Sequence, residues 1–384
     1  MNIRTTEEVM YDADRKLKII DSLRSGFIKH GDKLQINKSI FTKAKNDAFF
    51  QINILKAKHF KWPGKNHRLD IIKIDRPFLV GETASFRTTP IPHTYNRLGW
   101  YSYQWHEGIF GAKNCDRDRW NKFADKTNIK FKDWRKGKKG YVLILLQKPG
   151  DSSLNALENV ADGNVKDQYK NWVTNLIVKI RRHTDRPIVI RPHPTYVNRY
   201  KYYHDILYAV IAKNKNLVNF HWPLPPIPTE LNKRAAARFY QKYLGKESSK
   251  LGKIANSYDK DTIGFEVKNV TVSKDTTLQQ DLKNAHCVVT YNSLSSVEAV
   301  QEGVPVIALD KGCMTWPIAH HKISDIEKLK YDIDITQWQN DIAYTQWSEE
   351  ENKSGESWEH LKALKNEPRP INLCSEMVKN DESV

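Results

Sequence analysis

The sequence has 384 residues and a net charge of +17, with 39% hydrophobic and 28% charged residues. This length exceeds what one hydrophobic core ordinarily supports, and the composition excludes a disordered or fibrous chain, so we expect two folded domains. The four cysteines are too scattered for a zinc site or a disulfide framework. Without a signal-peptide pattern or a long apolar run, the sequence favours a cytoplasmic protein.

The excess positive charge is concentrated at the N-terminal side. Residues 1–140 contain 30 Lys and Arg against 15 Asp and Glu, whereas the remainder contains 32 against 30. A basic surface attracts polyanions because each neutralised phosphate releases counterions. Either this half meets a polyanion such as DNA, or it has an ordinary basic, solvated surface.

The first part of the chain has a weak α/β pattern. Apolar runs at residues 49–55 and 71–80 predict strands, and loops with Pro and Gly separate them. The polar and basic residues 119–140 predict a surface connection. We therefore place an N-terminal domain at residues 1–138.

From residue 141 onward, apolar strands alternate with amphipathic helices. Strands are predicted from residue 141 and within 186–194, 217–220, 267–272, 286–291 and 304–309. Helices are predicted at 168–182, 200–212, 277–284 and 295–302. This alternation predicts a parallel sheet covered on both faces. The second domain is placed at residues 139–332, and residues 333–384 are expected to form further helices.

Polar residues follow these strands at their carboxyl ends, where open parallel sheets bind ligands. They are Gln147 and Lys148, then Arg191 and His193, then Asn292, Ser293, Ser295, Ser296 and Glu298. The serines either bind a phosphate at the start of a helix or simply cap that helix. Arg191 can bind a phosphate or pair with a carboxylate. His193 can donate to a departing diphosphate, and Glu298 can accept from a ribose.

These residues lie in segments that resemble known enzymes. RPHP and NSLSSVEAVQEGVPVI resemble the nucleotide-sugar-binding domains of GT-B glycosyltransferases, including capsule-type enzymes. RPFLVGETASFR, RLGWYSYQW, LLQKPGDSS and IAYTQWSEEENKSGESWEHL resemble a bacteriophage group of glycosyltransferases. This likeness is discontinuous over residues 77–361, and residues 1–60 show none.

The resemblance implies an α/β GT-B fold, with two Rossmann-like domains facing across a cleft and C-terminal helices crossing back to the first domain. It also implies transfer of arabinose or glucose from a nucleotide-sugar, such as a UDP-sugar, to a hydroxymethylated pyrimidine in double-stranded DNA. The donor residues above would hold the nucleotide-sugar in the second domain. The first domain would bind the acceptor, and no membrane partner is expected.

Transfer to a hydroxyl group requires a base near the acceptor. Glu82 is the predicted base because it directly follows the apolar run at 71–80, with Glu107 and Asp116 as alternatives; a salt bridge to an arginine is the other interpretation of Glu82. The predicted acceptor-binding residues are Arg87, Arg97, Trp100, Tyr101 and Glu107. The aromatic residues of this set either stack on an extruded base or pack in the core.

Metal and cofactor use is not expected. The short Asp-x-Asp pattern occurs three times, beginning at Asp12, Asp116 and Asp332, which makes each occurrence uninformative. The sequence has no Walker loop and no GxGxxG motif, which argues against ATPases and nicotinamide enzymes. Two other functions stay open: a surface or capsular polysaccharide glycosyltransferase, and a non-catalytic nucleic-acid-binding protein.

Overall fold

The computed structural model describes residues 1–6, 13–37, 48–52, 77–87, 94–136, 140–147, 151–154, 165–193, 270–273, 277–368 and 370. Their strands form two sheets, one of six strands and one of five. The helix predicted at 200–212 and the strand predicted at 217–220 lie outside these residues, as does Lys148.

The first sheet is built mainly from the N-terminal part of the chain. Its parallel strands are β1 (Asn2–Thr6), β2 (Lys33–Asn37), β3 (Ala48–Ile52) and β4 (Phe78–Thr83), in the order β2-β1-β3-β4. Strand β5 (Tyr95–Trp100) runs antiparallel to β4. Helix α1 (Ala13–Lys29) links β1 to β2 and contributes Ile20, Leu23 and Phe27 to the core beside this sheet.

The second sheet is entirely parallel, in the order β8-β7-β6-β9-β10. Its strands are β6 (Tyr141–Leu145), β7 (Ile188–Arg191), β8 (Val270–Val272), β9 (Ala285–Thr290) and β10 (Val306–Ala308). Val142 and Ile144 of β6 pack in one hydrophobic cluster, whereas Leu143 and Leu145 pack in another. Both faces are therefore buried, which explains why the strand sequence is continuously apolar.

Helices surround this second sheet. They are α2 (Asp118–Thr127), α3 (Val165–Arg181), α4 (Leu278–Lys283) and α5 (Ser295–Gln301). Helix α2 corrects the prediction that residues 119–140 form only a connection. Trp120, Phe123 and Thr127 of this helix are buried at helical spacing. Charged residues of both signs occupy most of the other positions and conceal this stripe.

The C-terminal segment returns to the first sheet. It comprises α6 (Thr336–Ala343), β11 (Gln346–Ser348), α7 (Glu349–Ser354) and α8 (Glu356–Ala363). Strand β11 pairs antiparallel with β5 and completes the first sheet. Trp358 is fully buried, meets the Phe27 ring at 4.5 Å between centroids and donates to Asp32 at 2.7 Å.

Arg119 of α2 fixes the returning segment. Its guanidinium lies 3.7 Å from the centre of the Trp347 ring. It also donates to the Ala343 carbonyl at 2.9 Å and to the Glu351 carboxylate at 2.5 Å. One half-buried cation thus connects α2 to the end of α6, to β11 and to α7.

The predicted α/β class, with two mainly parallel sheets and C-terminal helices that cross back, is confirmed, and the architecture is consistent with a GT-B fold. The predicted boundary at residue 138 stays a prediction, and β11 makes the first sheet discontinuous in sequence. No helix among the described residues is both long enough and apolar enough to span a bilayer.

Candidate functional site

The second sheet has a topological switch point between β6 and β9. From β6 the chain adds β7 and β8 on one side, and then crosses to β9 and β10 on the other. Helices leaving in opposite directions open a crevice at the carboxyl ends of such a strand pair. Gln147 follows β6 and Asn292 follows β9, so the structure brings these two predicted residues together at this crevice.

Gln147 and Asn292 hydrogen-bond to each other. The Gln147 side-chain amide donates to Asn292 Oδ1 at 2.7 Å, and the Asn292 backbone N–H donates to Gln147 Oε1 at 3.3 Å. Asn292 Nδ2 also donates to Asp310 Oδ1 and to the Ser153 carbonyl, both at 2.9 Å. A buried network with this many partners is rigid, so these amides form a fixed floor to the crevice.

The serines predicted to bind phosphate have different environments. Ser293 and Ser295 are half-buried at the start of α5, and the Ser295 N–H donates to Ser293 Oγ at 3.3 Å. Ser296 is fully buried, and its hydroxyl lies 3.3 Å from Cys313 Sγ. The Ser296 side chain therefore lies on the buried face of α5, whereas Ser293 and Ser295 are at the start of this helix.

Arg191 ends β7 beside this crevice and is paired with a carboxylate. Its Nη1 forms an ion pair with Asp281 Oδ2 of α4, and Asp281 is only 2% exposed. Ser273, directly after β8, donates to Asp281 Oδ1 at 2.7 Å. The structure thus contains one of the two interactions expected for Arg191, a pair with a carboxylate. Asp281 itself was not predicted, although an acid between the buried Leu278 and Leu282 of a short helix is an unusual signal.

Glu298 of α5 connects the two halves electrostatically. Gln279 donates to its carboxylate at 3.1 Å. Burial raises the pKa of Glu298, while the charges of Arg87 and Arg191 act in the opposite direction and only partly offset the rise. Arg87, predicted on the acceptor side, therefore lies within electrostatic range of a predicted donor residue.

His193 and Lys148 complete the predicted donor set. His193 follows β7 two residues after Arg191 and is half-buried. Lys148 follows Gln147 but lies outside the described residues. The structure thus gathers the described donor residues, except the deeply buried Ser296, along the carboxyl ends of β6, β7 and β9.

Glu82 lies near the carboxyl end of β4 in the first sheet. It is half-buried, and its Oε1 accepts from the Thr83 N–H at 2.7 Å and from the Thr83 hydroxyl at 2.8 Å. It pairs in register with Arg97 on β5. The position at a strand end agrees with the expected location, and the role of Glu82 as a base stays a prediction.

Arg97 and Trp100 lie in the core rather than at an acceptor surface. Arg97 donates to the carbonyls of Thr83 and Tyr103, each at 2.8 Å. Burial lowers the pKa of Arg97 to about 10, against the raising effect of the Glu82 charge. Trp100 is fully buried and donates to the Leu361 carbonyl at 2.7 Å. Because Trp100 is packed against α8 and the buried Arg97 is bonded to the Thr83 and Tyr103 carbonyls, neither side chain is exposed to an acceptor.

Tyr101 and Glu107 follow the same strand. Tyr101 has a φ of 69° and meets the Phe78 ring edge-on at 5.4 Å. Glu107 accepts from the Ser102 hydroxyl at 3.2 Å. Both are half-buried and have local partners in the structure, so the segment RLGWYSYQW is chiefly a packing segment.

The loop after β5 also joins the two halves. The Trp105 N–H donates to the Gly312 carbonyl at 3.0 Å, and Gln104 Nε2 donates to the Ser153 carbonyl at 3.2 Å. The next residue, His106, is exposed, and its ring meets Trp316 edge-on at 6.4 Å. Partial burial and Lys311 lower the pKa of His106, against the effect of Asp310. An imidazole thus lies at this junction, a feature that the sequence interpretation missed.

Two solved structures with a partial likeness are described as Kdo transferases. One is KpsC from Thermosulfurimonas dismutans, a beta Kdo 2,7 transferase: 12% identity, 95% of this chain and 100% of that chain covered, TM-score 0.44. A second is the KpsC beta Kdo 2,4 transferase of the same organism: 12% identity, 90% of each chain covered, TM-score 0.43. No protein-family model matches the sequence, and no curated protein is significantly similar.

Similarity of this degree says nothing about the reaction. A function for the chain has to be argued from the contacts of the site. The phage-type resemblance of the sequence stays a prediction. The aspartates of two Asp-x-Asp patterns have local roles: Asp116 accepts from the Asp118 N–H, and Asp334 from the Thr336 N–H, both at 2.9 Å. Within the described ranges, no three metal-ligating side chains converge.

Proposed function

We propose that the protein is a glycosyltransferase that binds a nucleotide-sugar at the carboxyl ends of β6, β7 and β9 and transfers the sugar to a glycan acceptor. The observation that carries the proposal is the switch point, where the Gln147–Asn292 network lies beside the Arg191 cation. A crevice with a rigid polar floor and a neighbouring guanidinium suits a phosphorylated nucleotide.

The reaction breaks the bond between the anomeric carbon and a phosphate oxygen. As that bond breaks, negative charge grows on the phosphate, and Arg191 with His193 would stabilise it. Lys148, Ser293 and Ser295 would hold the same phosphates. Glu298, whose carboxyl has a raised pKa, would hydrogen-bond a ribose hydroxyl.

The acceptor oxygen attacks the anomeric carbon and must lose a proton. Glu82 would take that proton from the side of the first sheet. Arg87, exposed and within range of Glu298, would contact the acceptor or the leaving phosphate. His106 is a second group able to accept the proton. All these steps use the chain's own side chains, and none requires a metal ion.

A glycan acceptor is favoured by the state of the aromatic segment. Transfer to a DNA base requires that the base leave the helix and stack on a receptive surface. Of the rings proposed for that surface, Trp100 is fully buried, and Tyr101 is half-buried against Phe78. DNA remains the second candidate because residues 1–140 carry twice as many basic as acidic residues.

One experiment distinguishes these functions. The purified protein is incubated with a panel of UDP- and other nucleotide-sugars, together with oligosaccharides or duplexes containing cytosine, 5-hydroxymethylcytosine or 5-hydroxymethyluracil. Products are weighed by mass spectrometry after digestion. A sugar increment on an oligosaccharide supports the proposal, and an increment on a hydroxymethylated base establishes the second candidate. Duplex binding with no nucleotide-sugar binding would identify a non-catalytic nucleic-acid-binding protein.

A further inference from the structure

We propose that Asp281 and Ser273 are positioning residues, which fix the orientation of Arg191 so that its guanidinium can receive a nucleotide phosphate. The inference rests on the proposed function for the identity of the ligand. It adds two residues that neither the motifs nor the resemblance had indicated.

Three separate segments converge on this cluster. Arg191 is the last residue of β7, Ser273 directly follows β8, and Asp281 lies on the buried face of α4. The Ser273 N–H donates to the Ile190 carbonyl at 2.8 Å, which fixes the end of β8 against the end of β7. The Ser273 hydroxyl lies 2.7 Å from both oxygens of Asp281 and 3.4 Å from Arg191 Nη1. Ser273 therefore fixes the Asp281 carboxylate, and this carboxylate fixes the Arg191 guanidinium.

The burial of Asp281 is difficult to explain by packing alone. Its side chain is 2% exposed, and its neighbours Leu278 and Leu282 point into a hydrophobic cluster. Moving a carboxylate out of water is unfavourable unless a cation and hydrogen-bond donors surround it. An apolar residue would fill this helix position without that cost. The acid is therefore best explained by what it does for Arg191.

A second Arg–carboxylate pair lies just before the start of β7 and provides a control. Arg186 precedes β7 at the opposite edge of the sheet and contacts Glu327 through two hydrogen bonds of 2.9 and 3.0 Å. Glu327 is 42% exposed, so this pair is close to the surface. It resembles the Arg191 pair in chemistry but lies far from the crevice, because parallel strands place their starts and ends at opposite edges.

An anchored guanidinium binds phosphate better because its planar fork is already oriented. Without Asp281, Arg191 would distribute over several rotamers and lose affinity when it becomes ordered around the ligand. Loss of the anchor should therefore weaken phosphate binding only through Arg191. This dependence separates a positioning role from a purely structural one.

The test is calorimetric titration of the full-length chain with UDP, GDP and inorganic pyrophosphate. Asp281→Asn should weaken binding about tenfold, by analogy with the lower end of what loss of a residue that orients a ligating side chain costs at metal sites. Glu327→Gln should leave binding within about twofold of wild type, since a surface pair far from the ligand contributes little. In an Arg191→Met background, Asp281→Asn should cause no further loss.

Ser273→Ala keeps the ion pair and removes the hydrogen bonds of the hydroxyl to Asp281 and from Arg191. It serves if Asp281→Asn does not fold, and binding should weaken about threefold. The proposal is overturned if folded Asp281→Asn binds like wild type, or if Glu327→Gln loses as much. The proposal is also overturned if Asp281→Asn weakens binding as much in the Arg191→Met background as it does in the wild type. A wild type that binds UDP but transfers no sugar contradicts only the proposed function, whereas one that binds no probe contradicts both.

Discussion

The two sheets use similar polar residues in different ways. In the second sheet, Arg191 ends a parallel strand and Gln147 and Asn292 lie just beyond two others, where a ligand can approach. In the first sheet, Arg97 and Trp100 are buried, and their polar atoms are bonded to backbone carbonyls. Trp100 ends β5 as Arg191 ends β7, so the packing around a strand end, more than residue type, decides whether a side chain can contact a ligand.

The largest expected effect concerns the one residue of the first sheet that we assign to chemistry. Glu82→Gln should lower kcat about 1,000-fold, the usual contribution of a general base, while UDP affinity is unchanged. Transfer rates and calorimetry measure the two quantities. Asp125→Asn is the control, since Asp125 is an exposed carboxylate of α2 with no assigned role in the reaction, and this variant should retain full turnover. If Glu82→Gln remains fully active, His106→Ala becomes the variant to examine.

Removal of a core aromatic should affect stability rather than binding. Trp100→Ala should lower the free energy of unfolding by about 4 kcal/mol, because it leaves a large cavity between β5 and α8. Urea denaturation measures this change, and UDP affinity per folded molecule should stay constant. The half-exposed Trp316 provides a comparison, for which Trp316→Ala should cost clearly less. A stable Trp100→Ala protein with weakened acceptor binding would place Trp100 at the acceptor site after all.

The packing of α1 against α7 predicts that a glycine-to-alanine substitution in a helix lowers stability, which is the opposite of its usual effect. Glycine within a helix is normally less favourable than alanine. Yet a Cβ atom on Gly26 of α1 would lie 2.2 Å from the backbone oxygen of Asn352 in α7. Gly26→Ala should therefore destabilise the protein by about 2 kcal/mol, measured by thermal unfolding. Ser25→Ala on the exposed side of the same helix should be nearly neutral, and equal stability of both variants would contradict the packing.

Substitution of Arg191 at the end of β7 should change ligand affinity rather than stability. Arg191→Ala should weaken UDP binding about 20-fold, as expected for loss of a charge-assisted hydrogen bond. Duplex binding, if present, should be retained, since it would involve the other half. Arg186→Ala at the start of the same strand provides the matched control. Parallel loss of UDP and duplex binding would contradict the separation of donor and acceptor sides.

The smallest effect is a pH dependence in the first sheet. Burial raises the pKa of Asp32, but hydrogen bonds from Lys362, the N-terminal ammonium and Trp358 outweigh it, so the pKa lies below 3.8. The folded state therefore gains stability above the unfolded pKa, and this gain is lost as pH falls through and below 3.8. Asp32→Asn should lose about 1 kcal/mol at neutral pH and much less at pH 3. A constant difference between pH 7 and pH 3 would contradict the linkage.

The sequence predicted the second sheet well because its physical signal is local. Strands buried on both faces must be continuously apolar, as in residues 141–145 and 285–290. The strand ends could likewise be read, but not their partners: Gln147 and Asn292 are 145 positions apart, and Arg191 and Asp281 are 90 apart. The segment around Trp100 was ambiguous because basic and aromatic residues suit both a ligand surface and a core.

Strand β11 has a consequence for the order in which the protein can form during synthesis. The edge of β5 that it covers stays unpaired until residues 346–348 have left the ribosome, whereas the five strands of the second sheet are all made earlier. The half that is translated first is therefore completed last. Until then, an open strand edge is exposed to pairing with other nascent chains. A chain released before residue 346 would keep that edge permanently, and aggregation rather than a folded N-terminal fragment is its expected fate.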